Sequence, residues 1–281
     1  MAETDKKTNR TGGRKSSSAR RSYSRKKTRD IPRWLHILIA ATVTGVLLFI
    51  AYFLVLKNSL SPFAVCDGIK AYRTCLPKGY TIFGIDVSRH QGEIDWQQLK
   101  EDNLPEAPIR FAYIKATEGR DHKDPRYDSN WQASKQNGFI RGAYHYFTEA
   151  SSGDAQAGMF TNVVVLEKGD LPPMIDIEAI PANEDTYKTE LKKFILRLEE
   201  HYGVKPILYS YPKFHRRYLD EAFFKAYDLW IAHYRVEKPD IERDWIMWQY
   251  TDAGRIPGIE KNTDINALNG GIAELEGLLI K

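Results

Sequence analysis

Residues 34–56 run for 23 positions without a formal charge. Coiled as a helix rising ~1.5 Å per residue, such a stretch crosses a hydrocarbon core ~30 Å thick. The chain is therefore expected to divide at a membrane into a short N-terminal piece and a larger C-terminal one. A cleaved signal peptide also sets a charged segment before an apolar one, but its apolar region is only about 7 to 15 residues long. The length here favours an uncleaved transmembrane helix over 34–56, with Trp34 and Tyr52 near the two interfaces, where aromatic rings are common.

Charge orients the span. Twelve of the 41 Lys and Arg lie in residues 1–33 against Glu3, Asp5 and Asp30, a balance of 12 − 3 = +9; from the net +4, the remainder carries 4 − 9 = −5. Only Lys57 follows the span directly, so the positive-inside rule leaves the N-terminus cytoplasmic and everything after Lys57 outside. The tail is rich in Ser, Thr and Gly, as in Arg14-Lys15-Ser16-Ser17-Ser18, and almost lacks apolar residues, the composition of a disordered segment. Basic charge confined to such a tail reads as a topology signal at a membrane surface rather than a nucleic-acid site. No nucleic-acid partner is expected.

Residues 57–79 read as a connector. Its two cysteines, Cys66 and Cys75, are the only ones in the chain. Outside the cytoplasm they suit a disulfide closing a small loop, with unbonded thiols as the alternative. With no histidine nearby they do not complete a zinc shell, and neither metal nor cofactor is expected. Fully extended at ~3.3 Å per residue, the 24 residues from Lys57 to Tyr80 reach at most roughly 80 Å.

Residues 80–281 are long and apolar enough to bury one core. From Thr81 onward, short apolar runs alternate with longer amphipathic ones. Strands are predicted over 81–88, 109–116, 140–147, 173–178, 206–210, 229–233 and 245–250, with a short last one near Asp264. The clearest helix covers 185–202, where Leu191, Phe194, Ile195 and Leu198 recur at helical spacing and Gly203 supplies the stop. About eight strands alternating with helices imply a parallel sheet closed into a compact α/β barrel of the TIM type. An open doubly wound sheet is the alternative, although no glycine-rich phosphate loop follows any strand.

Pro172-Pro173-Met174-Ile175-Asp176-Ile177-Glu178 is a buried-type strand ending in two carboxylates two residues apart. Strand alternation turns Asp176 and Glu178 to the same side with Cα atoms ~6.6 Å apart, at the end where such barrels place their sites. Two like charges that close, partly desolvated, raise one proton affinity, which suits a general acid. A strand-end Asp can also cap a helix, and a Glu can pair with a lysine. Asp86 at the end of the first strand and Asp264 near the last change the balance. In a closed barrel these strands are neighbours, so four acids converge.

Aromatic residues collect at the same strand ends, in Tyr144-His145-Tyr146-Phe147, Tyr209-Ser210-Tyr211 and Trp248-Gln249-Tyr250. Their faces and polar edges suit sugar rings, although each cluster alone also fits ordinary core. His145, which alternates away from its tyrosine neighbours, reads as a structural histidine.

With these residues in view, 80–269 resembles glycoside hydrolase family 25, a family of lysozymes. The motifs that carry the resemblance occur in order. They are Phe83-Gly84-Ile85-Asp86-Val87-Ser88 with Gln91-Gly92 and Ile94-Asp95-Trp96; Tyr113-Ile114-Lys115-Ala116-Thr117-Glu118-Gly119; Gly142-Ala143-Tyr144-His145-Tyr146; Asp176-Ile177-Glu178; Trp248-Gln249-Tyr250; and Asp264-Ile265-Asn266. The resemblance implies a modified barrel whose later strands lack full helical partners, and cleavage of the β-1,4 bond after N-acetylmuramic acid in peptidoglycan glycan strands. It implies Glu178 as general acid and base and Asp176 as its companion carboxylate. Asp86, Asp264, Tyr144, Tyr146, Tyr209, Trp248 and Gln249 would line the sugar cleft. The basic tail and membrane helix replace the wall-binding repeats of many relatives. A non-catalytic glycan-binding protein and a hydrolase of another N-acetylated polymer such as chitin are the rival readings.

Overall fold

The computed structural model describes residues 32–59 and 69–281. The chain divides into two compact units, Met1–Ser61 and Pro62–Lys281. In the first, helix α1 spans Arg33–Ser59, three residues beyond the expected end, and Arg33–Tyr52 within it is long and apolar enough to cross a membrane. The basic tail over 1–31 and Cys66 lie outside the described residues.

The second unit opens with a hairpin of β1 (Lys70–Ala71) and β2 (Thr74–Cys75). Its two turn residues, Tyr72 and Arg73, take φ of 51° and 56°. That is the left-handed turn two-residue hairpins need, though side chains other than those of Asn and Gly adopt it reluctantly. Tyr72 compensates by burial. Its hydroxyl donates to Ala107 O at 2.9 Å and accepts from Leu104 N at 3.2 Å, while its carbonyl accepts from Arg255 N at 2.8 Å. Part of the expected connector is thus packed onto the barrel, with Ala71, Tyr72 and Leu76 in its core. Cys75 is disulfide-bonded.

The barrel strands are β3 (Phe83–Val87), β4 (Ile109–Glu118) with its short partner β5 (His122–Lys123), β6 (Ile140–Tyr146), β7 (Met174–Asp176), β8 (Ile207–Ser210), β9 (Leu229–Ala232), β10 (Met247–Gly254) and β11 (Thr263–Leu268). Neighbours run β3-β11-β10-β9-β8-β7-β6-β4, and β3 pairs β4 to close the ring. The expected closed α/β barrel is present, with one correction to the all-parallel sheet. The last strand, β11, is antiparallel to both β10 and β3. β10 continues to Gly254, leaving eight residues before Thr263, and a parallel crossover needs a dozen or more.

Helices α2 (Trp96–Glu101), α3 (Tyr127–Gln136), α4 (Gly153–Val163) and α5 (Glu184–Tyr202) follow the early strands, and only short helical turns lie between β8 and β11. α5 starts where Asn183 caps Thr186 N and stops at Gly203, whose φ of 69° provides the left-handed exit. Its buried face is Tyr187, Leu191, Phe194, Ile195 and Leu198.

Strand parity builds two layers. Outward residues such as Phe83, Ile85, Ile114, Ile175 and Leu208 pack under the helices. Inward ones, including Phe111, Tyr113, Met174, Ile207 and Trp230, fill the barrel below the site, with the Tyr113 and Trp230 rings 5.0 Å apart. Glycine is required beside these rings. A Cβ at Gly84 would lie 2.3 Å from the Phe111 ring, and one at Gly142 would lie 2.4 Å from that of Tyr113.

Candidate active site

Above this plug, at the C-terminal ends of the parallel strands, lies a cavity of about 430 Å³. Inward parity delivers its acids: Asp86 from β3, Asp176 from the end of β7, Glu178 two residues on, and Asp264 from β11. Asp264 sits directly opposite Asp86 in the antiparallel β3–β11 register. Tyr144, Tyr146, Tyr209 and Gln249 line the same cavity, again from inward positions.

Hydrogen bonds converge on Asp86. Its Oδ2 accepts from Gln249 Nε2 and from Asn266 Nδ2, each at 2.8 Å. Gln249 Oε1 accepts in turn from the Tyr209 hydroxyl at 2.9 Å and from that of Tyr234, while Asn266 Oδ1 accepts from Trp230 Nε1 at 3.0 Å. Both amides are thereby oriented with their donors toward the carboxylate. Burial still pushes the Asp86 carboxyl up to about 6 despite these donors, with the Glu178 charge adding to it. Burial, then the charge of Asp86, takes Asp264 to about 8.

Asp176 and Glu178 form the chemically unusual pair. Burial raises both carboxyls; the charge of Glu178 adds to the rise at Asp176, and the Lys115 ammonium opposes it at both. With two carboxyls so placed, ionisation of Glu178 disfavours that of Asp176, so the protonation of one depends on the other. Asp176 Oδ1 is buried, and no donor among the described residues reaches it. The phenols of Tyr144 and Tyr209 are pushed up by burial and by the surrounding acids, and that of Tyr146 to about 12, so all three remain neutral donors.

Lys115 and Glu118 enter the cavity unforeseen. They are three residues apart on β4, an odd spacing that a regular strand would turn to opposite faces. A bulge between Lys115 and Thr117 in the pairing with β6 resets the parity. Lys115 Nζ then meets Glu118 Oε2 at 2.7 Å and lies 4.9 Å from the centre of the Tyr146 ring. Nothing in the residue types marks the bulge. Tyr234 lies in the loop just after β9, where no strand alternation indicates its direction.

Trp248 is a correction. It neighbours Gln249 on β10, so the two side chains cannot share a face, and Trp248 points outward. It is 1% exposed, donates Nε1–H to His233 O at 2.8 Å, and packs edge-on against Tyr80 at 5.8 Å. It is core beneath the helix-poor side of the barrel, not cleft. His145 behaves as a structural residue. Fully buried, it lies 2.7 Å from Thr117 Oγ1 and 3.1 Å from Gln156 Oε1, and burial holds its imidazole down at about 4.

Residues 85–259 match the model of the family described as glycosyl hydrolases family 25. The YegX protein of Escherichia coli K12 is 38% identical over 215 residues, covering 75% of this chain and 78% of the relative. Lysozyme M1 of Streptomyces globisporus is 33% identical over 211 residues, covering 69% of this chain and 70% of the relative. Among solved structures, a family 25 glycosyl hydrolase from Bacillus anthracis superposes with a TM-score of 0.66 at 35% identity, over 72% of this chain and 95% of that one. A bacterial lysozyme from Streptomyces coelicolor gives 0.65 at 32% identity, over 72% of this chain and 98% of that one.

Proposed function

The chain belongs to glycosyl hydrolases family 25, and from that premise we propose that it is a lysozyme-type muramidase, with Glu178 and Asp176 as its working pair. The bond cut is the β-1,4 link between N-acetylmuramic acid and N-acetylglucosamine in peptidoglycan. The observation that carries the role of the pair is the unsatisfied Asp176 Oδ1 beside Glu178 in a cavity open to substrate. A buried polar atom left without a partner calls for a ligand group to complete it, and the N–H of a 2-acetamido sugar is such a group.

In this reading the proton shared by the pair resides on Glu178 once sugar is bound. Glu178 donates it to the leaving oxygen as the anomeric carbon becomes cationic, then takes a proton from the water that completes hydrolysis. Asp176, ionised, holds the acetamido N–H and turns the acetamido oxygen onto the anomeric carbon as internal nucleophile. Asp86, Asp264, Tyr144, Tyr146, Tyr209 and Gln249 hold the sugar hydroxyls. A covalent sugar trapped on Asp176 would refute the internal-nucleophile version.

The membrane placement is also a proposal. The apolar helix opens with the last of the twelve basic residues in 1–33 and runs over Arg33–Tyr52, and a cytoplasmic tail with an extracytoplasmic barrel follows from the positive-inside rule. Residues 1–33 then form the tail, 34–56 the span, 57–79 the connector and 80–281 the catalytic barrel, acting on nearby wall.

The test of activity is to digest purified peptidoglycan with the full-length protein in detergent and reduce the new ends with borohydride. Muramitol ends are expected. Glucosaminitol ends, or none, would contradict the proposal.

A further inference from the structure

Beside the acidic cavity lies a second one of about 360 Å³, which shares Glu178, Tyr209 and Tyr234 with it. The charge of its remaining wall is reversed: Lys213 and Arg216, with His233 as a neutral donor beside them, stand against Asp240 alone. Lys213 forms no ion pair among the described residues. Arg216 Nη1 donates to the Asp240 carbonyl at 2.9 Å and lies 3.4 Å from its carboxylate, a solvent-exposed pairing that leaves most of the guanidinium fork open. His233 Nδ1 accepts from Asp240 N at 3.1 Å, which places the proton of the neutral ring on Nε2 as a donor. Arg216 belongs to a π-helical turn, His215–Leu219, a geometry that is rare and concentrated at functional sites.

A neutral sugar gains little from the charges of Lys213 and Arg216, whereas a carboxylate gains charge-assisted hydrogen bonds. The same carboxylate is repelled from the four-acid cavity next door. In muramic acid the lactyl group sits on the very ring whose anomeric bond is cut, so a peptide attached to it emerges within about one sugar width of Glu178. That peptide carries free carboxylates. The second cavity begins at Glu178 and falls in the ordinary size range of ligand sites.

We propose that this cavity is a subsite for the acidic peptide substituent of muramic acid, with Lys213, Arg216 and His233 receiving its carboxylates. The enzyme then selects peptide-bearing glycan over bare glycan. The proposal rests on the peptidoglycan reading above and adds to it a preference that reading does not require.

The test compares full-length protein, in detergent, on two substrates: peptidoglycan strands with their peptides, and the same strands stripped of peptide by an amidase. The quantity read is the ratio of kcat/KM for the two, measured from new reducing ends. Wild-type protein is expected to favour the peptide-bearing strands by about tenfold, the scale of two partly exposed charge contacts, and to lose the preference as salt is added. The double variant Lys213→Gln/Arg216→Gln is expected to bring the ratio to about one, while the charge-keeping Lys213→Arg/Arg216→Lys retains it. Equal rates on both substrates for wild-type protein, or an unchanged ratio in the glutamine variant, would overturn the subsite. Hydrolysis of neither substrate by wild-type protein would overturn the peptidoglycan reading itself, and the subsite with it.

Discussion

The ammonium of Lys115 and the carboxylate of Glu118 meet at 2.7 Å on the cavity face although they stand three residues apart on one strand. The β4 bulge that permits this sets a cation where its charge opposes the burial that raises Asp176 and Glu178. Lys115→Met removes that charge, so both carboxyls rise further. The limbs of the pH–rate profile are expected to move to higher pH by about one unit, the low end of the effect of a nearby opposite charge. Unmoved limbs in a folded variant would show that Lys115 does not tune the pair.

Trp248 and Gln249, adjacent on β10, are expected to separate stability from activity. Trp248→Ala empties a buried site among Tyr80, Trp245 and Tyr250, at a cost of about 3 to 5 kcal/mol. Where the variant remains folded, KM should be near that of the parent. Gln249→Leu keeps volume but removes the donor to Asp86 and the acceptor of Tyr209 and Tyr234. It is expected to lower kcat at least tenfold. Thermal melts and steady-state kinetics on both variants decide, and a raised KM for folded Trp248→Ala would return Trp248 to the cleft.

Asp264 makes stability depend on pH. Its carboxyl titrates near 8 in the folded protein against an ordinary value of 3.8. The folded state therefore holds a proton that the unfolded chain has released, and stability falls as pH rises between about 4 and 8. Asp264→Asn removes that cost. The variant is expected to be more stable than the parent at pH 8, by on the order of 1 to 3 kcal/mol in a denaturant titration, with the difference shrinking toward pH 4. A constant difference across that range would contradict the assignment.

The hairpin ahead of the barrel is expected to act on stability alone. Tyr72→Phe deletes the hydroxyl shared by Ala107 O, Leu104 N and Asn103 Oδ1, and the loss should be about 1 to 2 kcal/mol. Turnover per folded molecule should be unchanged. A denaturant titration alongside an activity assay checks both.

Much of this architecture can be read from residue order. Each barrel strand is a short apolar run with its own flanking stops, and period-two alternation brings Asp86, Asp176 and Glu178 into one cavity once the ring closes. The same parity also separates Trp248 from Gln249, so their joint assignment to the cleft broke a rule visible in the sequence. Other features depend on tertiary pairing. The bulge at Lys115 leaves no local mark, and Tyr234 is aimed by the loop that starts just before it. Residues 69–79 look like a linker because they cover the helix-poor side of the barrel with single side chains rather than a periodic face. The antiparallel β11 follows from eight connecting residues, a number that becomes countable only when β10 is seen to run on to Gly254.

Everything proposed for the chemistry passes through the proton on Glu178. Glu178→Gln keeps size and hydrogen-bonding capacity but cannot deliver that proton. Turnover of purified peptidoglycan by the full-length variant, measured beside its melting temperature and its binding of glycan fragments, is the most direct test. The account predicts a loss of at least ~10²-fold to 10⁴-fold in kcat with melting and binding retained. Near-normal hydrolysis by the folded variant would contradict it.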